Sequence, residues 1–328
     1  MTEALAGPRR GGGAAATAAQ CEQILAEVGQ VIVGKPDAAR LVLIGILAAG
    51  HVLIEDLPGL GKTLLARTYA RVLGLGFTRV QFTPDMLPAD LTGAAVLDPR
   101  TQDVVFRRGP VFTNLLLADE INRTPPKTQA ALLEAMAEGQ VSADGVTYPL
   151  PRPFVVLATD NPIEYEGTYP LPEAQLDRFT ARVRLGYLDA GGEAEMVRRR
   201  LSRGSAEPAA RQVSDTAGVL AMRESLEEVQ LDPAILAYIV NLVAATREHP
   251  NVNVGASPRG TLAIVQLARG HAVLGSRDYV IPEDVKAVAI PALAHRLVLR
   301  PEMWVRQLTG SDVVGEILTQ VPVPRTVE

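Results

Sequence analysis

The stretch from residue 52 to residue 63 constrains this chain more than any other, and it reads VLIEDLPGLGKT. A short apolar run ends at Pro58-Gly59, and Gly61-Lys62-Thr63 opens a predicted helix. A strand, a glycine-containing turn and a helix N-terminus form a cradle for phosphate, because backbone N–H groups and the helix dipole converge on the anion. Lys62 would reach the outer phosphates of a nucleotide, and the Thr63 hydroxyl would hold Mg²⁺.

The motif departs from the usual G-x-x-x-x-G-K-S/T spacing at one position. Its first glycine is absent, because that position is Asp56. The competing interpretation is a strand-to-helix turn with an ordinary exposed lysine. Phosphate binding is favoured, because Pro-Gly and Gly-Lys-Thr follow the apolar strand at the spacing of the motif.

A second motif lies downstream, where the apolar run 115–118 ends in Asp119 and Glu120. Such a strand suits the middle of a parallel sheet that is covered on both faces. Open α/β sheets bind ligands at the carboxyl ends of their strands, so both carboxylates are expected at the nucleotide. We predict that Asp119 holds Mg²⁺ through water and that Glu120 orients and deprotonates the attacking water. An acidic turn after an ordinary strand is the competing interpretation.

The composition limits the classes of protein that remain. The chain has 328 residues, 47% of them hydrophobic, so it can bury a large core. Its formal net charge of −5 gives no general attraction to nucleic acid or anionic lipid. The single cysteine, Cys21, excludes an intramolecular disulfide and predicts a reducing, cytoplasmic location. The longest apolar stretch, residues 41–54, is too short to span a membrane and is predicted to run from a buried helix into a strand.

Three parts are predicted along the chain. Residues 1–20 are mostly Gly, Ala, Pro and Arg, which indicates a flexible tail. Residues 21–188 alternate strands and helices, which indicates an α/β domain with a doubly wound parallel sheet. Residues 189–328 begin with a predicted hinge at Gly191-Gly192 and continue as amphipathic helices, so we predict a separate all-helical domain.

The element boundaries follow from hydrophobic period and from Pro and Gly. Thr124 is predicted to cap a helix with Pro125 at its first position and Gly139 as its terminator. The predicted strands are residues 52–55, 77–82, 115–118, 154–158 and 181–187, the last nearer an edge. The other predicted helices are residues 21–31, 36–48, 233–247, 258–269 and 282–299, and one that follows the phosphate loop and stops at Gly74.

Two segments add nothing to the closure of the sheet. Residues 84–108 are punctuated by Pro and Gly and are predicted to be an insertion with little regular structure. Residues 141–148 alternate across Asp144-Gly145, which predicts a β-hairpin with a type I′ turn. We expect this hairpin to project from the domain and to serve a function.

One arginine of the helical part is unusually placed. Ser257 is a predicted N-cap, Pro258 takes the first helical position, and Arg259 falls in the first turn. The helix dipole disfavours a cation there unless an anion lies nearby. A phosphate bound by the first domain would supply one, and a solvated arginine is the alternative.

Together these motifs resemble the MoxR group of AAA+ ATPases. The resemblance rests on the phosphate loop, the strand LLLADE, the string DEINRTPPK from residue 119 and the string YPLPEAQLDRF from residue 169. It extends from about residue 31 to the end of the chain. It implies an AAA+ P-loop core with a five-stranded parallel sheet followed by a small helical lid. It also implies ATP-dependent assembly into rings, typically hexamers, with nucleotide between subunits.

The resemblance assigns roles residue by residue. Lys62 and Thr63 match the Walker A pair, and Asp119 and Glu120 the Walker B pair. Asn161 matches sensor 1, and the preceding Asp160 replaces an expected glutamine. Arg178 matches the arginine finger that reaches the neighbouring subunit, although an ion pair with Asp177 or Glu173 is the alternative, and Arg259 matches sensor 2. The expected nucleotide-binding residues are Ile32, Val33 and Gly34 near the adenine, and Pro58, Gly59, Leu60, Gly61, Lys62, Thr63 and Leu64 around the phosphates.

The function expected from the sequence is ATP-driven, chaperone-like remodelling of a protein client, with ATP and Mg²⁺ bound. The resemblance implies a partner with a von Willebrand factor A domain, and the segments 84–108 and 141–148 are the expected client-facing surfaces. An ATPase that remodels nucleic acid would need a basic pore, and the compact basic clusters are Arg107-Arg108 and residues 198–200. A nucleotide-gated scaffold without turnover is a third possibility, against which Glu120 argues. No nucleic-acid partner and no transmembrane segment are expected.

Overall fold

The structure is a computed structural model that describes residues 12–143, 145–162, 167–204, 206, 209–303 and 305–324. Its strands are β1 (Val52–Glu55), β2 (Phe77–Gln81), β3 (Gly93–Leu97), β4 (Val104–Arg108), β5 (Leu115–Asp119), β6 (Gln140–Ala143), β7 (Val146–Pro149), β8 (Val155–Asp160), β9 (Ala181–Val183), β10 (Val252–Val254) and β11 (Val298–Leu299). Its helices are α1 (Gly12–Val31), α2 (Pro36–Leu47), α3 (Lys62–Val72), α4 (Pro88–Thr92), α5 (Pro126–Glu138), α6 (Glu173–Leu176), α7 (Ala190–Arg203), α8 (Thr216–Glu227), α9 (Pro233–Glu248), α10 (Pro258–Leu274), α11 (Pro282–Leu293) and α12 (Gly310–Gln320). Short 3₁₀ turns cover Ile121–Arg123, Ala294–Arg296 and Pro301–Met303.

The central sheet has five parallel strands in the order β2-β5-β8-β1-β9, which confirms the predicted fold class. Alternate residues of β5 enter two different cores: Leu115 and Leu117 face one, Leu116 and Ala118 the other. This explains why β5 is apolar until Asp119, since neither face of it meets water.

The two cores position the helices on opposite faces of the sheet. One contains the apolar side chains of α1, α2 and α3 together with those of the C-terminal helices, and α10 packs against α1, α2 and α11. The other contains the buried face of α5. The C-terminal helices therefore share a hydrophobic core with the N-terminal helices of the α/β part.

The predicted flexible tail is wrong for residues 12–20, because α1 begins at Gly12 rather than at residue 21. Thr17 and Ala18 are buried, at 6% and 8% exposed. An alanine-rich stretch has high helix propensity, and here it also gains a packing partner that its low-complexity composition did not indicate. Residues 1–11 lie outside the described residues.

The prediction of little regular structure for residues 84–108 is also wrong. This segment contains α4 and an antiparallel hairpin of β3 with β4, in which Gly93 pairs with Arg108 and Leu97 with Val104. The second hairpin, β6 with β7, is present as predicted, and Asp144 of its turn lies outside the described residues. Phe106 stacks on Tyr148 with ring centroids 4.1 Å apart, so the two hairpins contact each other.

In the second half of the chain, several element boundaries differ from the predicted ones. Helix α5 begins at Pro126, so its N-cap is Pro125 and not Thr124. The Thr124 hydroxyl is buried and has no hydrogen-bond partner among the described residues. Strand β9 ends at Val183 rather than at residue 187, because Asp56 captures the next backbone N–H groups. Gly191-Gly192 is not a hinge but part of the first turn of α7, where Asp189 caps Gly192.

The C-terminal part is not entirely helical. Strands β10 and β11 form a small antiparallel sheet, and α11 ends at Leu293 rather than at residue 299. Pro291 lies inside the last turn of α11, and the chain then continues through the 3₁₀ turn Ala294–Arg296. The predicted Ser257 cap of α10 is confirmed, since its hydroxyl accepts a hydrogen bond from the Arg259 N–H.

Candidate functional site

The phosphate loop joins β1 to α3 and needs glycine at two positions. Gly59 and Gly61 adopt left-handed φ values of 82° and 87°, which L side chains rarely take. Gly61 is the N-cap of α3, so the first-turn N–H groups of this helix face the loop. Lys62 is buried at 8% exposed, and its Nζ donates to the Asp56 carbonyl at 2.5 Å. Burial lowers the pKa of Lys62, and Asp56, Asp119, Asp160 and Glu120 oppose that shift.

Asp56 replaces the first glycine of the motif and has a structural role there. Its φ is not left-handed, so the position does not require glycine. Its carboxylate accepts hydrogen bonds from the N–H groups of Leu185 at 2.6 Å and Gly186 at 2.7 Å, and from Leu57 at 3.0 Å. Asp56 therefore fastens the phosphate loop to the segment that follows β9.

Thr159 of the neighbouring strand β8 contacts both acidic residues at the end of β5. The Thr159 hydroxyl donates to Asp119 at 2.6 Å and accepts from the Glu120 N–H at 2.8 Å. Glu120 has a left-handed φ of 58°, which is costly for a residue with a side chain and is typical of functional sites. The turn directs Glu120 away from the strand and into the cavity beside the phosphate loop.

Two polar residues of β2 reach the same carboxylates, and neither was predicted from the sequence. Arg79 donates to Asp119 Oδ2 through Nε at 3.0 Å and Nη2 at 2.7 Å. Gln81 donates to Glu120 Oε2 at 2.6 Å. Residues 79 and 81 share one face of a strand that pairs with β5, so the period-two pattern of FTRVQ was the available signal.

Asn161 follows β8 at the carboxyl edge of the sheet and is 2% exposed. Its carbonyl accepts a hydrogen bond from Asn122 Nδ2 at 3.3 Å. Asn161 lines the cavity and Asp160 does not. Burial raises the pKa of the Asp160 carboxyl, and the nearby Glu55 adds to this shift.

The predicted phosphate-binding residues other than Leu60, together with the two acidic residues, line one cavity of about 410 Å³. A more apolar cavity of about 340 Å³ adjoins it, and Gly59, Gly61 and Leu64 line both. Ile32 and Val33, which were predicted near the adenine, line the apolar part, and so does Leu60, which was predicted near the phosphates. Gly34 lines neither, and its left-handed φ of 67° turns the chain between α1 and α2. The polar part is lined by Pro58, Gly59, Gly61, Lys62, Thr63, Leu64, Arg79, Gln81, Asp119, Glu120 and Asn161.

The residues present fit a magnesium ion that binds together with a nucleotide. Thr63 and Asp119 face the same cavity, and a hydroxyl and a carboxylate are hard oxygen ligands. Within the described part of the chain, no group of three or more His, Cys, Asp and Glu side chains could hold a metal. Phosphate oxygens and water would therefore have to complete the coordination, as Mg²⁺ prefers.

The two predicted catalytic arginines lie elsewhere. Arg178 and Arg259 line a separate cavity of about 280 Å³ together with Asp177 and Arg296. Arg178 donates to the Leu133 carbonyl at 3.0 Å and, among the described residues, forms no ion pair with Asp177 or Glu173. Arg259 has its Nη1 3.9 Å from Asp177 Oδ2, so this carboxylate is an anion close to the first turn of α10. Arg259 does not line the cavity of the phosphate loop, and the expectation that a phosphate bound by the first domain lies beside it stays a prediction.

The sheet order, the phosphate loop and the paired carboxylates define a P-loop protein of the AAA+ class. A profile of the ATPase family associated with various cellular activities (AAA) matches residues 51–181, and an AAA lid domain profile matches residues 244–317. A crystal structure of a putative ATPase from Cytophaga hutchinsonii is similar, with a TM-score of 0.88 and 40% identity, covering 95% of this chain and 97% of that one.

Full-length relatives narrow the class further. The chain is 46% identical to the uncharacterized protein YeaC of Bacillus subtilis, over 90% of this chain and 92% of the relative. It is 41% identical to the chaperone MoxR1 of Mycobacterium tuberculosis, over 96% of this chain and 86% of the relative. It is 34% identical to the protein MoxR of Methylorubrum extorquens, over 91% and 93%. The chain belongs to the MoxR family of AAA+ ATPases.

Among the residues that the structure describes, no helix is both long enough and apolar enough to cross a bilayer. Residues 41–54 run from the buried helix α2 into strand β1, as predicted.

Proposed function

We propose that the chain hydrolyses ATP at a site completed by a second copy of itself, within a homo-oligomeric ring that is a hexamer by family resemblance. One observation carries the proposal: Lys62 and Glu120 share one cavity, whereas Arg178 and Arg259 lie at another. Phosphoryl transfer needs cations near the γ-phosphoryl oxygens. A second subunit that brings its Arg178 to this cavity would supply one.

Each residue of the cavity then has a role. Lys62 and the N–H groups of α3 bind the outer phosphates, while Ile32 and Val33 contact the base. Glu120 accepts the proton of the attacking water, and Asn161 positions that water. Thr63 and Asp119 would hold Mg²⁺, which would neutralise charge on the phosphates. Arg178 and Arg259 of the neighbour stabilise the charge that develops in the transition state.

Arg79 does not remove the need for a cation in trans. Although it lines the nucleotide cavity, its guanidinium is engaged by Asp119 and Gln81. The carboxylate of the Walker B strand compensates the charge of this guanidinium. The neighbour's Arg178 carries no such ion pair among the described residues and is available to a phosphate.

We further propose that turnover drives chaperone-like remodelling of a protein client, as the name of the relative MoxR1 suggests. The hairpin of β3 and β4 exposes apolar side chains on both of its faces, which suits contact with a client. By family resemblance, a partner with a von Willebrand factor A domain and a cytoplasmic location belong to the same proposal. The exposed side chains of this hairpin are Val96, Leu97, Val104 and Val105, at 42%, 63%, 70% and 45%.

The two other functions considered receive less support. Arg198 and Arg199 pair with Glu195, so this cluster is partly neutralised within its own helix and makes a poor nucleic-acid surface. A scaffold without turnover would not need Glu120 in a costly left-handed conformation.

The proposal is tested by steady-state phosphate release from the assembled protein. Glu120→Gln keeps the shape of the side chain and removes the base, so we expect a loss of at least about 10²-fold in kcat with ATP affinity retained. Glu134→Gln, an exposed residue of α5, is the matched control and should leave the rate unchanged. Equal and negligible rates for wild type and Glu120→Gln would support the scaffold instead.

A further inference from the structure

The segment that carries Arg178 is held by residues of the C-terminal helices. Arg296, at the end of the 3₁₀ turn after α11, donates through Nε to Asp177 Oδ1 at 2.9 Å. Its Nη2 donates to the carbonyls of Phe179 at 2.8 Å and Asp177 at 3.2 Å. One guanidinium therefore grips the residues on both sides of Arg178.

A second contact comes from the start of α10. The Ser257 hydroxyl, which caps this helix, donates to Asp177 Oδ2 at 2.8 Å. The neighbouring His295 contacts the Phe179 carbonyl through Nε2 at 3.0 Å. Two elements of the lid profile, α10 and the turn after α11, thus converge on residues 177–179.

The Arg296 contact is an unusual place to keep a charge. Its side chain is only 3% exposed, and burying a cation is costly unless it is paired and hydrogen-bonded. An apolar side chain could fill such a site with equal or greater stability. The charge at this position instead fixes the geometry of the segment that carries Arg178. The guanidinium of Arg296 hydrogen-bonds both to the Asp177 side chain and to backbone carbonyls of the segment.

We propose that Arg296 is a positioning residue, which with Asp177 and Ser257 ties the Arg178 finger to the C-terminal helices. Movement of these helices is thereby transmitted to the finger, and so to the nucleotide site of the adjoining subunit. The inference rests on the proposed function, in which Arg178 acts in trans. Arg296 acts in the subunit that donates the finger, and the nucleotide cavity of that same subunit does not depend on it.

The main test is Arg296→Lys, which keeps the charge and loses the fork of donors. We expect kcat for ATP hydrolysis to fall about tenfold or more, since small misplacements of a catalytic group cost up to about 10²-fold. The KM for ATP should stay within about twofold, because Arg296 does not line the nucleotide cavity. Arg269→Lys is the matched control: this arginine of α10 pairs with Glu227, away from the finger, and its kcat should be unchanged.

Two readouts separate positioning from a merely structural role. In an Arg178→Ala background, Arg296→Lys should cause no further loss, since the finger it positions is gone. Mixed with Glu120→Gln subunits, Arg296→Lys subunits should regain activity, because their intact nucleotide cavities then receive a well-placed finger. An equal loss of rate in the Arg178→Ala background, together with no recovery on mixing, would overturn the inference.

A second variant covers the case in which Arg296→Lys does not fold. Ser257→Ala removes the α10 contact with Asp177. We expect its kcat to fall about threefold or more, which is a larger loss than removing the N-cap of another helix should cause. Asp232→Ala, which removes the N-cap of α9, is its control. If Ser257→Ala keeps the wild-type kcat while Arg178→Ala loses most of it, the inference about Arg296 is overturned. The arginine finger itself is then still supported. Wild-type kcat in Arg178→Ala itself would instead overturn the proposed function.

Discussion

Arg79 and Asp119 form a two-pronged ion pair inside the nucleotide cavity, with Nη2 2.7 Å and Nε 3.0 Å from the same carboxylate oxygen. The other oxygen of Asp119 accepts the Thr159 hydroxyl. Asp119 is also the residue proposed to hold Mg²⁺. An ion held there would compete with the guanidinium for one carboxylate, so we expect Arg79 to affect the metal concentration that the site needs.

Replacing Arg79 tests this competition. In Arg79→Gln the carboxylate of Asp119 loses its internal cation, so the Mg²⁺ concentration for half-maximal ATP hydrolysis should fall. The Arg79 side chain is 45% exposed, and such an ion pair is worth at most about 1 kcal/mol, so we expect a shift of about threefold. The exposed Arg71→Gln is the control for lost surface charge. A rise in the half-maximal concentration would mean that Arg79 supports the ion rather than opposing it.

Lys62 should decide nucleotide binding. Its buried ammonium is surrounded by carboxylates and faces the cavity that we assign to phosphates. In Lys62→Ala we expect affinity for ATP, measured by calorimetry, to fall about 10²-fold or more, as for the loss of a buried charged contact. The exposed Lys286→Ala should bind as the wild type does. Tight ATP binding by Lys62→Ala would refute the phosphate cradle.

Asp56→Gly restores the glycine that the common motif has at this position, and yet we expect it to destabilise the protein. Asp56→Gly removes the acceptor for three backbone N–H groups and leaves that of Leu185 buried. We expect a loss of about 3 kcal/mol in the free energy of unfolding, measured by urea denaturation. Asp56→Asn, which keeps one acceptor oxygen, should lose less. A glycine variant as stable as the wild type would show that the carboxylate is dispensable.

His51 should make stability depend on pH. Burial lowers its pKa from 6.5 to about 4, so the folded protein keeps His51 neutral while the unfolded chain protonates it. The stability from neutral His51 is fully present above pH 6.5 and declines as the pH falls towards 4. Between pH 7 and pH 5 this amounts to about 2 kcal/mol. We expect His51→Gln to lose less stability than the wild type over that interval in urea denaturation, and parallel losses would contradict the shift.

The sequence predicted the parts of the fold that local chemistry dictates. The apolar runs of β1, β5 and β8 leave few alternatives to buried parallel strands, and the spacing of Gly59 and Gly61 after an apolar run is typical of a turn. The Ser257 cap could also be predicted, because an N-cap needs only its own helix. In each case the residues that decide the structure are neighbours along the chain.

Contacts between distant segments could not be predicted in this way. Arg79 meets Asp119 only because β2 lies beside β5, and Arg296 reaches Asp177 only because the C-terminal helices pack near the end of the sheet. The tail prediction failed for the same reason, since the alanines of α1 gain their partners from α8 and α10. The position of Arg259 beside Asp177 likewise depends on how two distant parts of the chain dock.

The most direct measurement is of ATP turnover in rings assembled from two inactive variants. Glu120→Gln subunits keep Arg178 and lack the base, whereas Arg178→Ala subunits keep the base and lack the finger. If the nucleotide site is shared, mixing them should restore hydrolysis well above the sum of the separate rates, because some interfaces then hold Glu120 from one subunit and Arg178 from the other. Rates that stay at that sum, in rings shown to contain both variants, would contradict the account.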